Sequence, residues 1–368
     1  MPSVLNRLTA FLLAALLSPL GGACLRAEEP KPGVAPLVDG PYVLWEGREA
    51  RVLAVRDGKA QASKLQPPYD LDLPGLGPLR LDPAPPPPAL ADFPIPLRIA
   101  AVSDIHGNLP GLVALLQAHG VINERRDWSF GQGHLVVVGD VFDRGSQVTG
   151  VFWLLRHLEA QAPAAGGRVH VLLGNHELHA LRGDVRYLHP SYLRLQKELL
   201  GLDQKTLYGP TSEQGRWLRT RPVLLRIGPF LFTHGGPSPE LLDQEKNLEA
   251  FNAAFRSIID TGSPSPLGGR ASPVWYRGLI PGKEATRPDA TDGEVERMLE
   301  AFRVRIMVVG HSTLKQGIAA FRGGRVHGID ADLMSGGPGE LWLFQKGACF
   351  RGRSDGSTLP LQVAGPLP

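Results

Sequence analysis

The chain is nearly without cysteine, with two in 368 residues, Cys24 and Cys349. Cys24 lies in a leader-like segment, so removal of that segment leaves Cys349 alone and excludes an internal disulfide framework. The scarcity also excludes a structural zinc site built on thiolates. An excess of charge of one sign is missing too. The formal net charge is +3, with no run of five basic residues, which argues against a dedicated nucleic-acid binder. Long apolar stretches are absent except near the start. There Leu8 to Leu17 is short of the ~20 residues a membrane span needs, and Pro19 follows it, so no stable membrane span is expected. What remains is an ordinary globular composition, 43% hydrophobic and 20% charged, enough for one large domain or two modest ones.

The first residues read as an export signal over 1–27. Arg7 supplies the positive charge, Leu8 to Leu17 the apolar stretch, and small residues up to Ala27 precede Glu28-Glu29. The mature chain is expected to begin near Cys24 or Glu28 and to be periplasmic or secreted. Gly-Gly-Ala-Cys resembles the end of a lipoprotein signal, but Gly21 stands where leucine is usual, so a lipid anchor at Cys24 is the less favoured alternative. Residues 28–81 are expected to form a small β-rich segment, because Glu-Gly and Asp-Gly split short apolar runs between 41 and 65. Residues 82–96, with Pro85 to Pro88, read as a stiff linker. The main domain is expected over 97–350, and 351–368 as a flexible, turn-rich tail.

Three segments of the main domain share one grammar: a short apolar run, a polar turn, then helical periodicity. They are RIAAVSDIHGN, LVVVGDVFDRG and VHVLLGNHE. Continuous apolar runs suit strands buried on both faces, and strand–turn–helix repeats predict an α/β layered fold. Ligands in such folds gather beyond the C-terminal ends of the strands, where the polar motifs fall. VLLRIGPFLFTHGG, RIMVVGHST and GELWLFQKGACF read as further strands. Residues 178–222 and 238–265 are less regular and are expected to cap the site.

Five blocks at strand ends carry the chemistry: Asp104-Ile-His106-Gly-Asn108, Gly139-Asp140-Val-Phe-Asp143-Arg144-Gly145, Gly174-Asn175-His176-Glu177, His234-Gly-Gly and Gly310-His311. Each alone is an ordinary cap or turn. Together they offer the donors for two divalent cations about 3.5–4 Å apart, which activate water and neutralise phosphoryl charge. Asp140 is the natural shared carboxylate. Asp104 and His106 would hold one metal with it, and Asn175, His234 and His311 would complete the other. Mixed imidazole, carboxylate and amide oxygens suit Mn, Fe, Zn or Co, with Mn favoured.

In this order the blocks resemble the calcineurin-like metallophosphoesterases, in their phosphoprotein phosphatase branch. GDVFDRGSQVT, GNHELHALRGDVRYLHPSY, HGGPSPE and VWYRG are similar to the Shewanella-like protein phosphatases. The resemblance runs from Leu97 to Phe344. It implies a layered β-sandwich flanked by helices and the ligand set above. It further implies His176 as general acid, Asp143 as the group that orients it, Arg144 and Arg277 as phosphate clamps, and Asn108 as a contact to substrate or water. Two blocks depart from relatives. Trp275-Tyr276-Arg277-Gly278 stands where eukaryotic Ser/Thr phosphatases carry Trp-Ser-Asp-Pro. Asp330-Ala-Asp-Leu-Met334-Ser335 stands where Asp-x-Gly-Met-Ser is expected.

The expected activity is therefore dinuclear hydrolysis of phosphate monoesters, on a phosphorylated protein or a small phosphomonoester. Phosphotyrosine is favoured over phosphoserine and phosphothreonine. Tyr187, Tyr192, Tyr208, Trp217, Trp275 and Tyr276 are candidate walls for an aryl group. A dinucleoside polyphosphate hydrolase shares the same blocks, but such nucleotides are cytosolic. A metal- or phosphate-binding pseudoenzyme would need loss of His176, Asp143 or a ligand, and none is lost. His119, His157 and His170 lie in regular patterns and read as structural, whereas His179 and His189 flank the third block and are near enough to line a cleft.

Overall fold

The computed structural model describes residues 37–242, 247–261, 266–284, 287–335 and 339–367. The expected signal over 1–27 and Cys24 lie outside the described residues.

Strands β1 (Asp39–Glu46), β2 (Glu49–Arg56) and β3 (Lys59–Leu65) form an antiparallel meander. Its second turn is Asp57-Gly58, both at positive φ (50° and 70°), the geometry that two-residue hairpins require. A second hairpin joins β4 (Asp70–Leu73) to β5 (Gly77–Arg80). These strands, in the segment expected to be β-rich, pack on the main domain. Tyr42, Trp45, Leu71 and Leu79 belong to the same apolar cluster as the main domain. Trp45 donates from its ring N–H to Glu213 at 3.0 Å, and Trp153 donates to the Pro41 carbonyl at 2.9 Å.

The stretch expected to be a linker ends in a short strand, β6 (Asp92–Phe93). Asp92 and Phe93 still have N–H groups, although prolines surround them, so they pair at a sheet edge where one side needs no donors. Main-chain bonds Ala89 N–H to Thr220 O (2.9 Å) and Arg226 N–H to Ala91 O (2.8 Å) fasten the segment along the domain.

Strands β7 (Arg98–Val102), β8 (His134–Val137) and β9 (Arg168–Val171) are parallel neighbours. Each leads through a polar turn to a helix: α1 (Leu109–Ala118), α2 (Val148–Gln161) and α3 (Asn175–Arg182). The second half supplies β10 (Leu224–Ile227), β11 (Phe230–Thr233), β12 (Ile306–Val309), β13 (Ala319–Phe321) and β14 (Val326–Gly328). The chain closes with β15 (Glu340–Gln345), β16 (Ala348–Arg353) and β17 (Thr358–Leu361). Two six-stranded sheets result, in the orders β17-β16-β15-β7-β8-β9 and β13-β14-β12-β11-β10-β6.

Alternation along the strands explains the sandwich. Ile99 and Ala101 of β7, Val136 of β8, Phe230 and Phe232 of β11, and Ile306 and Val308 of β12 fill the space between the sheets. Their sequence neighbours Ala100, Leu135, Leu231 and Met307 face the other way, into the helix-side cluster. With both faces covered, the runs read as continuously apolar. Phe230 meets Trp342 and Phe344 of the opposite sheet edge-on, each at 5.1 Å between ring centres.

The C-terminal segment is a correction to the sequence reading. Instead of a flexible tail, β17 pairs with β16, and Leu361 is buried in the inter-sheet core. Pro360 inside the strand and the turn over 354–357 obscured it. A proline-bearing strand is confined to an edge, and β17 is the outermost strand of its sheet.

Candidate active site

The C-terminal ends of β7, β8, β9, β11 and β12 converge, and each bears one motif. The turns are drawn tight by main-chain bonds between them. His106 N–H donates to Asp140 O at 2.9 Å, Gly107 N–H to Val141 O at 3.0 Å, and Gly310 N–H to His234 O at 2.9 Å. Asp104, His106, Asp140, Asp143, Arg144 and His311 all have positive φ, between 45° and 66°. Such conformations are held in non-glycine residues only where surrounding contacts over-determine them, and they cluster at functional sites. Two motif glycines are required by close approach. A Cβ on Gly174 would collide with the Asp140 carboxylate, and one on Gly310 with Ser103 Oγ.

Asp140 sits at the centre. His176 N–H donates to its Oδ1 at 3.0 Å. Its Oδ2 lies 3.2 Å from His234 Nε2, 3.6 Å from His106 Nε2 and 3.9 Å from His176 Nε2. Asn175 Oδ1 lies 3.1 Å from His234 Nε2. Asp140, His234 and His311 form one group, and His106, Asp140 and His176 another, with ligand atoms in each group within 4.8 Å of one another. The two groups share Asp140; Asp104, an expected ligand, is in neither, and His176 is in one.

The histidine partners fit a metal centre. His106 Nδ1 donates to Phe142 O (2.7 Å), His234 Nδ1 to Val138 O (2.8 Å) and His311 Nε2 to Trp275 O (3.1 Å). Each bond fixes the proton on one ring nitrogen and leaves the other with a lone pair for a cation, the usual arrangement around metal-ligating histidines. The field points the same way. Burial alone would lower His234, but the charges of Asp140 and Asp104 outweigh it and raise the ring to about 10, so the field favours positive charge here, either a second ring proton or a cation in its place. Burial, followed by the charge of Asp330, raises Asp104 well above the ordinary carboxylate value. Carboxylates so crowded and buried call for positive charge between them. Asp104 also anchors the last motif, because its Oδ2 accepts from His311 N–H at 2.9 Å and from Ser103 Oγ.

His176 is flanked by two other predicted residues. Asp143 Oδ2 accepts from His176 Nδ1 at 2.8 Å, and Arg144 Nη2 lies 3.3 Å from Nε2. Arg277 donates to the His311 carbonyl. Arg144 and Arg277 both line the pocket over Asp140, a cavity of about 160 Å³. Asn108 is not brought into it. Its amide caps α1, accepting from Gly111 N–H at 3.0 Å and donating to Leu333 O at 2.7 Å. Leu333 lies between Asp332 and Met334, which do line the pocket, so Asn108 caps α1 and ties down the 333–335 turn at the pocket's edge.

The aromatic set divides. Tyr187 and Trp275 line the pocket, with Tyr187 42% exposed. Tyr192, Tyr208, Trp217 and Tyr276 are buried in the core and make no wall. His179 lines the adjoining cleft. His189 caps the helix Pro190–Arg194, accepting from Ser191 N–H.

Two acidic residues in or near the motifs had no assigned part. Glu177 is fully buried, and its carboxylate accepts from the N–H groups of Gly174 (2.6 Å), Asp140 (2.9 Å), Val141 (2.7 Å) and Phe142 (3.2 Å). It ties the turn after β8 to the start of α3, and its place three residues after Gly174 was a legible capping signal. Asp330 follows β14 at the same end of its sheet and lines the pocket. Its position just beyond a strand was the available clue.

Residues 97–313 match the calcineurin-like phosphoesterase family. A protein of Schizosaccharomyces pombe is 30% identical over 259 residues, 67% of this chain and 76% of that one. Shewanella-like protein phosphatase 2 of Arabidopsis thaliana is 26% identical over 294 residues, 66% of this chain and 73% of that one. A solved cold-active protein tyrosine phosphatase superposes with a TM-score of 0.82 at 31% identity, covering 89% of this chain and 98% of that one.

Proposed function

This chain belongs to the calcineurin-like phosphoesterase family, and we propose from that premise that it hydrolyses phosphotyrosine in proteins in preference to phosphoserine and phosphothreonine. It is a metal-dependent phosphoric monoester hydrolase of the protein phosphatase kind. Asp104, His106 and Asp140 would hold one divalent ion, and Asp140, Asn175, His234 and His311 the other. This mixture of imidazole and oxygen donors suits Mn, Fe, Zn or Co, and manganese is the ion proposed. When bound, the ions activate a water and neutralise charge on the phosphoryl oxygens.

The chain's own residues do the rest. Arg144 and Arg277 orient the phosphate from two sides of the pocket, their planar forks suited to its oxygens. Asp143 keeps a proton on His176 Nδ1 and stabilises the ring when Nε2 carries a second one, which is then given to the leaving oxygen.

The observation that supports an aryl ester is the pair of aromatics at the mouth. Tyr187 stacks edge-on to His176 at 5.0 Å, and the Arg144 guanidinium lies over its ring at 5.5 Å. Trp275 stands against His311 at 5.8 Å, and both aromatics also touch His179, at 5.2 and 5.6 Å. A phenyl ring against these aromatics holds its phosphate farther from the peptide backbone than an alkyl side chain does. Two matched peptides differing only in phosphotyrosine or phosphothreonine test this. The expected kcat/KM ratio is at least about tenfold, roughly 1.4 kcal/mol in transition-state binding. Equal rates, or the reverse order, would overturn the preference.

We further propose that the protein is exported, on the strength of Arg7, Leu8 to Leu17 and the small residues before Glu28. No helix among the described residues is long and apolar enough to cross a membrane. Mass spectrometry of native protein is expected to give an N-terminus near Cys24 or Glu28. An intact Met1 refutes export, and a diacylglyceryl group on Cys24 makes the protein a lipoprotein.

A further inference from the structure

The pocket over Asp140 opens on one side into a larger cleft of about 540 Å³, with which it shares Asn175, Trp275, Arg277 and His311. The charges around this cleft are unbalanced. Leaving Arg277 to the phosphate, its lining includes four cations, Arg182, Arg186, Arg270 and Lys283, against two carboxylates, Asp184 and Glu284. Arg186 is paired with Asp184 at 2.6 Å. Arg182 and Lys283 are steadied by carbonyls, at 3.4 Å to Ile258 and Ile259 and at 2.7 Å to Thr313, which orient the cations without neutralising them. Arg270 is exposed and makes no ion pair among the described residues. Of the carboxylates that line the pocket beyond the metal site, Asp332 is paired with Lys315 at 2.7 Å and Asp330 is buried, so the unbalanced charge lies in the cleft. A chain lying across the site therefore meets an excess of positive charge on one side of the phosphorylated residue.

One wall of the cleft also holds an unused polar atom. His179 Nδ1 is bound to Asp184 Oδ2 at 2.9 Å, while its Nε2 is buried without a hydrogen-bond partner among the described residues. A buried nitrogen of this kind is satisfied when a ligand or water reaches it.

We propose that this cleft is a subsite for acidic residues, and that the natural substrates are phosphopeptide segments with Asp or Glu on one side of the phosphorylated residue. The proposal rests on the phosphoprotein reading above. Charge complementarity of this sort acts mainly on encounter and on choice among partners, and it weakens as salt screens it.

The test uses the full protein and phosphotyrosine peptides of one length. Their flanks carry Glu, Gln or Lys on the N-terminal side or on the C-terminal side. The expected result is a kcat/KM for Glu over Gln of about tenfold on one side only at low salt, shrinking several-fold at ~0.3 M salt. In the Arg270→Glu variant the Glu-over-Gln ratio should fall at least about threefold, a comparison within one enzyme that does not depend on its overall activity. Equal rates for Glu, Gln and Lys flanks, with all peptides turned over, overturn the subsite and leave the phosphoprotein reading standing. Turnover of p-nitrophenyl phosphate with none of any peptide overturns that reading and the subsite with it. A ratio unchanged by Arg270→Glu and by salt overturns the assignment of the preference to this cleft.

Discussion

Replacing His176 by asparagine is expected to lower kcat on an alkyl phosphate by about 10²–10⁴ while the metals stay bound. Asparagine keeps a polar group in the buried position but carries no transferable proton. The Asp143 carboxylate, 2.8 Å from Nδ1, loses the ring it orients. The loss should shrink for p-nitrophenyl phosphate, whose leaving group needs little protonation. His176 is also grouped with His106 and Asp140 among possible ligand atoms. Its Nε2 also faces the Arg144 guanidinium at 3.3 Å, however, and a cation there competes with a metal for the same nitrogen. Metal content decides between the two parts. If the purified H176N variant loses its metal by elemental analysis, His176 is a ligand, and its assignment as the proton donor fails.

Asp140→Asn is expected to have the opposite signature, with metal content and activity falling together. Oδ2 of Asp140 is the one oxygen facing His106, His176 and His234 at once, and both possible ligand groups depend on it. The amide removes the negative charge that two cations would share. Losing even a residue that only supports a ligand costs 10–100-fold in metal affinity, so a central ligand should cost about 10² or more. In the unaltered protein, chelation should abolish hydrolysis, and Mn or Co should restore it. Full activity in a preparation shown by elemental analysis to be metal-free would sink the two-metal reading. Unfolding of both proteins by denaturant separates this from misfolding, because the change adds no volume to the core.

Glu177 shows why part of the site was hidden in the sequence. Its block was recognised, yet its work is done on three N–H groups in another turn, more than thirty residues away. Local spacing identifies a capping carboxylate, but only the folded chain brings the turn after β8 within its reach. Asn108 is the converse. The sequence places it among site residues, and the fold turns its amide to α1 and Leu333. The aromatic residues make the same point. Composition cannot tell Tyr187 from Tyr192 or Tyr208, because which ring faces the pocket depends on how the short helices between 190 and 218 pack against β1 and α2.

By itself the sequence determined the strands buried on both faces, the Asp57-Gly58 hairpin, the order of the five motifs and their place at strand ends. Each of these follows from backbone sterics or from a period of two to four residues, so a short window contains the whole cause. Only the tertiary structure decided that 351–367 includes an edge strand, that the segment before β7 is pinned to the second sheet, and that Asp140 stands amid three imidazoles. It also decided that a cleft with an excess of positive charge adjoins the site. Those facts rest on the meeting of groups far apart in the chain. Hydrophobic burial between two sheets sets which strand ends converge, and no local pattern encodes that distance.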